Sequence, residues 1–290
     1  MKYLFFFLFL FTGFVLAERI FYLMGTYLIV DELEGKEIKL YKYMKSLEEK
    51  LSHYMENSEI SKINRNAGVK AVKVSEETFE VLRIAFEIAE KTEGFFDPTV
   101  GSYTVNYKMK NLIPLQKAKS LINYRNLVLN EKERKVFLKK KLMALDLGGI
   151  GKGYAIEKAY QFLNTKKGFL ALAGDMKVWG HKRILAIYNP LNGKILAEGV
   201  NKGDLCLSTS GNYFRKHIIG KEKNVIQVTV AHQNCTIADA LATALFSAPE
   251  KVRKRIMKKF PKAGVLILFI DGSIYIDRNF KDFFEYLILR

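Results

Sequence analysis

Cysteine is nearly absent. The 290-residue chain holds two, Cys206 and Cys235. Two thiols cannot staple a fold of this size, and without a C-x-x-C pair or zinc spacing they exclude a zinc ribbon and a thioredoxin-like redox motif. They are free to pair or to stay buried and reduced. There is no low-complexity linker and no repeat of fixed period, which excludes a solenoid and a tethered multidomain array. Acidic residues are outnumbered, 30 against 47 basic ones, for a net charge of +17. Yet the basic residues are dispersed, with runs only as short as Lys139-Lys140-Lys141. That is the pattern of a lysine-rich solvated surface rather than a nucleic-acid footprint, with a mild preference for anionic ligands or membrane surfaces.

A long apolar run occurs at the start, in "MKYLFFFLFLFTGFVLA". It is too short for a comfortable membrane span. Its lysine, apolar stretch and closing Val15-Leu16-Ala17 suit a signal peptide over residues 1–17, so the mature chain is expected to start at Glu18. Retention as an uncleaved anchor is the alternative. No cysteine follows the expected cut, so no lipid anchor is expected. Export places the protein in an oxidising, extracytoplasmic space.

Residues 18–290 read as one mixed α/β domain of the α+β class, in one lobe or two. "FYLMGTYLIV" is expected to be a first strand, and residues 32–54 a helix with apolar positions Leu40, Tyr43, Met44, Leu47 and Leu51. "SEETFEVLRIAFEIAEKTEG" predicts a helix opened by Ser75 and stopped by Gly94. "NLVLNEKERKVFLKK" predicts a hairpin, "MALDL" a short strand and "YAIEKAYQFLNTK" a helix. "GFLALAGDMKVWG", "RILAIYNP", "DLCLSTSGNYFRKHII" and "VIQVTVAHQN" supply sheet strands. "ADALATALFSAPEKVRKRIMKKF" reads as one long helix, and "AGVLILFIDGSIYIDRNF" as a hairpin turning at Asp271-Gly272.

Four stretches carry candidate chemistry. "ALDLGGIGKGYAIEKA" (144–159) sets four glycines and Lys152 between an apolar strand and a helix. The Walker pattern fails because Gly153 follows Lys152, and the dinucleotide fingerprint fails because Tyr154 or Ile156 stands where its last glycine belongs. A loop before a helix N-terminus can still bind phosphate through free N–H groups, or simply be a tight turn. In "TIADALATALF", Asp239 and Thr243 stand four apart, on one helix face. A carboxylate with a hydroxyl suits a hard cation such as Mg²⁺; helix-start aspartate and backbone-bonded threonine is the plain alternative. In "GFFDPTVG", Asp97-Pro98 starts a turn, while Phe95 and Phe96 are either ring-stacking or core residues. In "LSTSGNYFRKHII", His217 is either structural or a base beside a phosphate.

Taken together, these blocks closely resemble the ApbE family of FAD:protein FMN transferases. The resemblance runs from "LMGTYLIV" through "NSEISKIN", "FFDPTVG", "LDLGGIGKGYAIEKA", "LAGD", "LSTSGNY" and "ADALATALF" to the final hairpin. It implies FAD contacts at Met24, Tyr54, Phe95, Phe96, Asp97, Asp146, Lys152 and His217. It implies Mg²⁺ ligands at Gly149, Asp239, Ala242 and Thr243, with Gly149 and Ala242 acting only through carbonyls. Ala242 lies in mid-helix, so a bent turn or a shared oxygen is expected there. Catalytic roles fall to His217 as base, Lys152 as charge partner and Asp146 as orienting group. The implied acceptor is an exported flavoprotein, an Rnf- or Nqr-type subunit or a related FMN-binding domain. The sequence departs from the family after His217, where "HIIGKEKNVIQ" replaces the usual Asp-Pro-x-Thr-Gly turn. Two other activities fit the same residues: hydrolysis of FAD to FMN and AMP, and FAD binding without catalysis.

Overall fold

The computed structural model describes residues 18–212, 218 and 224–290. The expected signal peptide lies outside them. The chain opens with a hairpin, β1 (Arg19–Leu23) and β2 (Thr26–Asp31), not the single strand expected. Met24 and Gly25 turn the chain with φ of 51° and 72°, a left-handed pair that no continuous strand accommodates. Helix α1 (Glu37–Leu51) follows, and its buried Leu40, Met44, Leu47 and Leu51 are four of the five apolar positions read from the periodicity. Next come α2 (Glu59–Arg65), β3 (Val72–Lys73) and α3 (Glu76–Lys91), the last capped by Ser75 as expected.

The turn in "GFFDPTVG" runs into a π-helix over Ser102–Met109, followed by α4 (Leu115–Ser120). The predicted hairpin is β4 (Leu127–Asn130) with β5 (Lys135–Leu138), which also pairs β3. "MALDL" is not a strand; Ala144 makes one isolated bridge to Val100. Helix α5 (Gly151–Leu163) leads to β6 (Gly168–Leu172), β7 (Asp175–Trp179), β8 (Ile184–Asn189), β9 (Lys194–Asn201), β10 (Leu205–Gly211) and β11 (Val225–His232). The expected long helix is two, α6 (Cys235–Ser247) and α7 (Glu250–Lys259). Pro249 breaks it, because proline pushes the residue before it out of the helical region, and Ala248 has ψ 142°. The chain ends with β12 (Gly264–Phe269), β13 (Ile274–Ile276), α8 (Arg278–Asp282) and β14 (Phe284–Leu289).

An eight-stranded sheet ordered β1-β2-β6-β7-β10-β11-β12-β13 divides the molecule. Its ladders are antiparallel, so side chains alternate cleanly between its faces. Leu170, Leu172, Trp179, Val228, Val230, Val265 and Ile267 face the helices, packing with Leu82, Tyr154 and Leu241. Phe169, Val178, Leu205, Leu207, Leu266 and Leu268 face a second sheet ordered β14-β9-β8 and helix α8. The fold is of the α+β class expected from the sequence.

Candidate active site

The site is built where α5 meets α6 over the middle of the large sheet. Two glycines set the distance. A Cβ on Gly153 would stand 2.3 Å from the Cys235 carbonyl oxygen and 2.6 Å from the Asp239 Cβ. One on Gly149 would stand 2.8 Å from the Thr243 hydroxyl. No larger residue lets the loop and the first turn of α5 lie this close to α6. Asp239 uses the closeness: its Oδ2 accepts the Gly153 N–H at 2.9 Å. The aspartate thus caps a neighbouring helix whose own N-cap residue, Ile150, has no side-chain acceptor.

Alternation along β7 and β10 supplies the floor. Asp175 and Lys177 leave β7 on the helix face, and Cys206, Ser208 and Ser210 leave β10 beside them; register pairs Cys206 with Lys177 and Ser208 with Asp175. Along α6, Cys235, Asp239 and Thr243 repeat every four residues and meet these rows, giving three tiers. In the lowest, Cys206 and Cys235 form a disulfide with Cα atoms 5.3 Å apart, which settles the pairing left open by the sequence. Buried Lys177 lies beside it, 3.2 Å from Glu157 and 4.2 Å from the centre of the Tyr160 ring. In the middle tier, the Lys152 ammonium lies 2.7 Å from Asp175 and 3.8 Å from Asp239, and the Ser208 hydroxyl donates to Asp175. In the top tier, the Thr243 and Ser210 hydroxyls are 3.2 Å apart beneath Gly149. Ala242 is buried in mid-α6.

Two nearly buried carboxylates therefore face one ammonium. Burial would lower the Lys152 pKa, but the charges of Asp175 and Asp239 outweigh it and raise it. Asp239 is pushed upward by burial and then by repulsion from Asp175, only partly relieved by Lys152 and the α5 N–H groups. The pocket carries one uncompensated negative charge when both acids are ionised. Its donors, a carboxylate, hydroxyls and the glycine-loop backbone, are hard oxygens, the set that suits Mg²⁺. The residues present thus fit the ion that the sequence implies.

The other end of the glycine loop holds Asp146. Its Oδ1 accepts the Gly148 N–H at 2.8 Å and lies 3.3 Å from His53 Nδ1; its Oδ2 accepts from Thr104 at 2.6 Å. Burial would raise this carboxyl, yet His53, Thr104 and the Gly148 amide hold it below its usual range. The Tyr54 ring lies tilted against His53 with ring centres 4.0 Å apart and is 71% exposed, so it forms the rim. Asn64 brackets the Leu145 peptide with bonds of 3.0 and 2.7 Å. Spacing gave no sign of His53, Thr104 or Asn64, because their partners lie far away in the chain.

The remaining predicted residues are distributed around this centre. Met24 sits at the tip of the β1–β2 hairpin, its N–H held by Glu48 at 2.9 Å. Phe95 is half-buried and its carbonyl accepts from Ser247 on α6, whereas Phe96 is buried in the core. Asp97 is occupied with its own turn: Oδ1 accepts from the Thr99 N–H and hydroxyl at 2.8 and 2.6 Å, and Oδ2 from the Tyr124 N–H at 2.9 Å. Burial nonetheless raises its pKa. His217 lies outside the described residues.

Known proteins share this sequence pattern and fold. The chain is 26% identical to the FAD:protein FMN transferase of Chlamydia pneumoniae over 269 residues, 81% of this chain and 84% of that one. It is 26% identical to the enzyme of the same name from Haemophilus influenzae over 288 residues, 86% of this chain and 82% of that one. The crystal structure of the ApbE protein from Thermotoga maritima superposes with a TM-score of 0.80 at 26% identity, covering 93% of this chain and 99% of that one. The flavin transferase ApbE of Vibrio cholerae shares the fold, with a TM-score of 0.79 at 21% identity over 92% of this chain and 98% of that one. The ApbE family model matches residues 24–267, and the chain belongs to the ApbE family.

Proposed function

We propose that the chain is an Mg²⁺-dependent FAD:protein FMN transferase. A serine or threonine hydroxyl of an acceptor protein attacks the FAD phosphorus nearer riboflavin. A phosphoester bond forms to that oxygen, the bond to the AMP oxygen breaks, and the hydroxyl proton leaves. The observation that carries this reading is the middle tier: Asp239, nearly buried at the N-terminus of α5, shares one ammonium with Asp175. Phosphoryl transfer needs alignment and charge neutralisation more than covalent help.

Asp239, Thr243 and the carbonyls of Gly149 and Ala242 would hold the metal. When bound, it neutralises charge on the pyrophosphate and on departing AMP. Lys152 contributes a second positive charge, fixed at the helix start where phosphate is favoured. Asp146, locked by His53 and Thr104, orients the ligand, and Tyr54 borders it. His217 is the base for the incoming hydroxyl. The acceptor is an exported flavoprotein, an Rnf- or Nqr-type subunit or a related FMN-binding domain. Transfer takes place in the periplasm or at the outer face of the inner membrane. Among the described residues, no helix is long and apolar enough to cross a membrane.

The test is incubation of the purified chain with FAD, Mg²⁺ and an acceptor domain, followed by electrophoresis under denaturing conditions. Flavin fluorescence on the acceptor band, with AMP released in equal amount, is expected. Free FMN without labelled acceptor would establish the hydrolase, and unchanged FAD a flavin carrier.

A further inference from the structure

Lys152 sits between two carboxylates, only one of which belongs to the metal set just described. Its ammonium is 2.7 Å from Asp175 and 3.8 Å from Asp239. Asp175 is 2% exposed and anchored twice, by its place at the start of β7 and by the hydroxyl of Ser208, itself 1% exposed. Asp239 is anchored by the α5 N–H group. Of the three, Lys152 alone is partly exposed, with 27% of its side chain open to solvent. A shift of about an ångström would close its gap to Asp239, to the length expected of a direct charged hydrogen bond.

We infer that Asp175 is a positioning residue that detains the Lys152 ammonium, keeping it from occupying Asp239 and so leaving that carboxylate open to a divalent cation. The inference rests on Asp239 being the metal carboxylate. A buried lysine beside a metal site otherwise competes for the same oxygen, since both are cations seeking one carboxylate. Asp175 resolves the competition by offering a fixed alternative partner across the seam. The arrangement lets a positive charge stand next to a positive ion, as a pyrophosphate substrate needs from both.

The alternative is a simple field effect. Any acid near the site would raise metal affinity and any base would lower it, each independently of the other. A double-mutant cycle separates the two. Metal affinity is measured by calorimetry with Mg²⁺, and with Mn²⁺ as a second probe, on the chain without FAD. Asp175→Asn is expected to weaken binding about 10- to 100-fold, the usual effect of altering a residue that orients a metal ligand. Lys152→Met in the wild-type background is expected to change it less than about threefold. In the Asp175→Asn background the same substitution is expected to restore most of the loss. Equal effects of Lys152→Met in both backgrounds would overturn the inference.

Ser208→Ala supplies an independent check, because it alters no charge and removes only the hydroxyl that anchors Asp175. It is expected to weaken binding severalfold with the melting temperature nearly unchanged; no change in affinity would count against detention of the lysine. Asp239→Asn serves as the control on the underlying reading. If that variant binds metal as tightly as wild type, the metal site itself is misassigned. If it loses binding while the cycle is additive, only the role of Asp175 fails.

Discussion

The two faces of the large sheet use the same strands for opposite ends. On β10, Leu205 and Leu207 pack into a largely apolar core against β8, β9 and β14, while Cys206, Ser208 and Ser210 point at the helices. On β7, Val178 goes one way and Asp175 and Lys177 go the other. One face contains buried acids and a buried ammonium; the buried polar side chains that β11 turns to the other, Gln227 and Thr229, are uncharged and bond to Tyr188 and Thr209. Burying charge is costly unless every group is paired, and the helix face meets that cost with glycine-mediated closeness and crossed ion pairs. The apolar face supplies stability that does not depend on the site.

The largest contrast is expected from Asp239→Asn. Transfer activity and Mg²⁺ binding should fall by orders of magnitude, measured by flavin fluorescence on the acceptor and by calorimetry. Metal-free stability should hold or rise. In the folded chain Asp239 has a raised pKa, so the wild type loses stability as pH rises through neutrality and Asp239 ionises against Asp175, a loss the variant lacks. Melting curves at pH 5 and pH 8 check the sign. Gly149→Val should follow. A branched side chain meets the Thr243 hydroxyl, so FAD and metal affinity should drop together with far-ultraviolet dichroism unchanged; unaltered FAD affinity would leave the glycine a turn residue only.

Leu207→Ala breaks the comparison from the other side. The side chain is 2% exposed in the apolar core, so about 2–5 kcal/mol of stability should be lost in denaturant titrations. Mg²⁺ and FAD affinity of the folded protein should stay as in wild type. If they fall in step with stability, the two faces are not independent. The smallest effect is expected away from both faces, at Glu93. Arg255 first, then Lys259, holds its carboxyl down to about 2 from an ordinary 4.5. Its contribution is present above pH 4.5 and lost as pH falls toward 2. The ion pairs are solvent-screened, so Glu93→Gln should cost about 0.2–1 kcal/mol at neutral pH, less in high salt.

How much of this was legible in the sequence differs between those faces. Alternation in "LCLSTSG" and the i, i+4 pair in "ADALATA" mark both the sheet and the seam, because period two and period 3.6 are local properties. The tight glycine loop was legible as an approach site, though not what it approached. Asp175 could be quoted within "LAGD" but not assigned, since its meaning depends on Lys152 reaching across from another element. His53 and Thr104 were invisible for the same reason: each meets Asp146 over a long stretch of chain. The strand β9 was missed despite its Asn192-Gly193 turn, and β14 because a five-residue helix separates it from the hairpin before it. Pro249 was overridden by a convincing helical pattern on both sides, although its ring geometry decides the break.

The Cys206–Cys235 bond closes a ring with a sequence separation of 29, and the ring contains all of β10 but Leu205, the whole of β11, and His217. Closing a loop of that size restricts the unfolded chain by about 3–4 kcal/mol in the chain-entropy treatment. One end of the ring is the first residue of α6, a single turn before Asp239; the other lies two residues before Ser208. A chain that has oxidised therefore already carries the helix with Asp239 tethered to the strand beneath it. A chain that has not must find that contact by diffusion. The bond thus holds the walls of the pocket, the helix with Asp239 and Thr243 and the strand with Ser208 and Ser210, to one another in the unfolded chain as well as in the folded one.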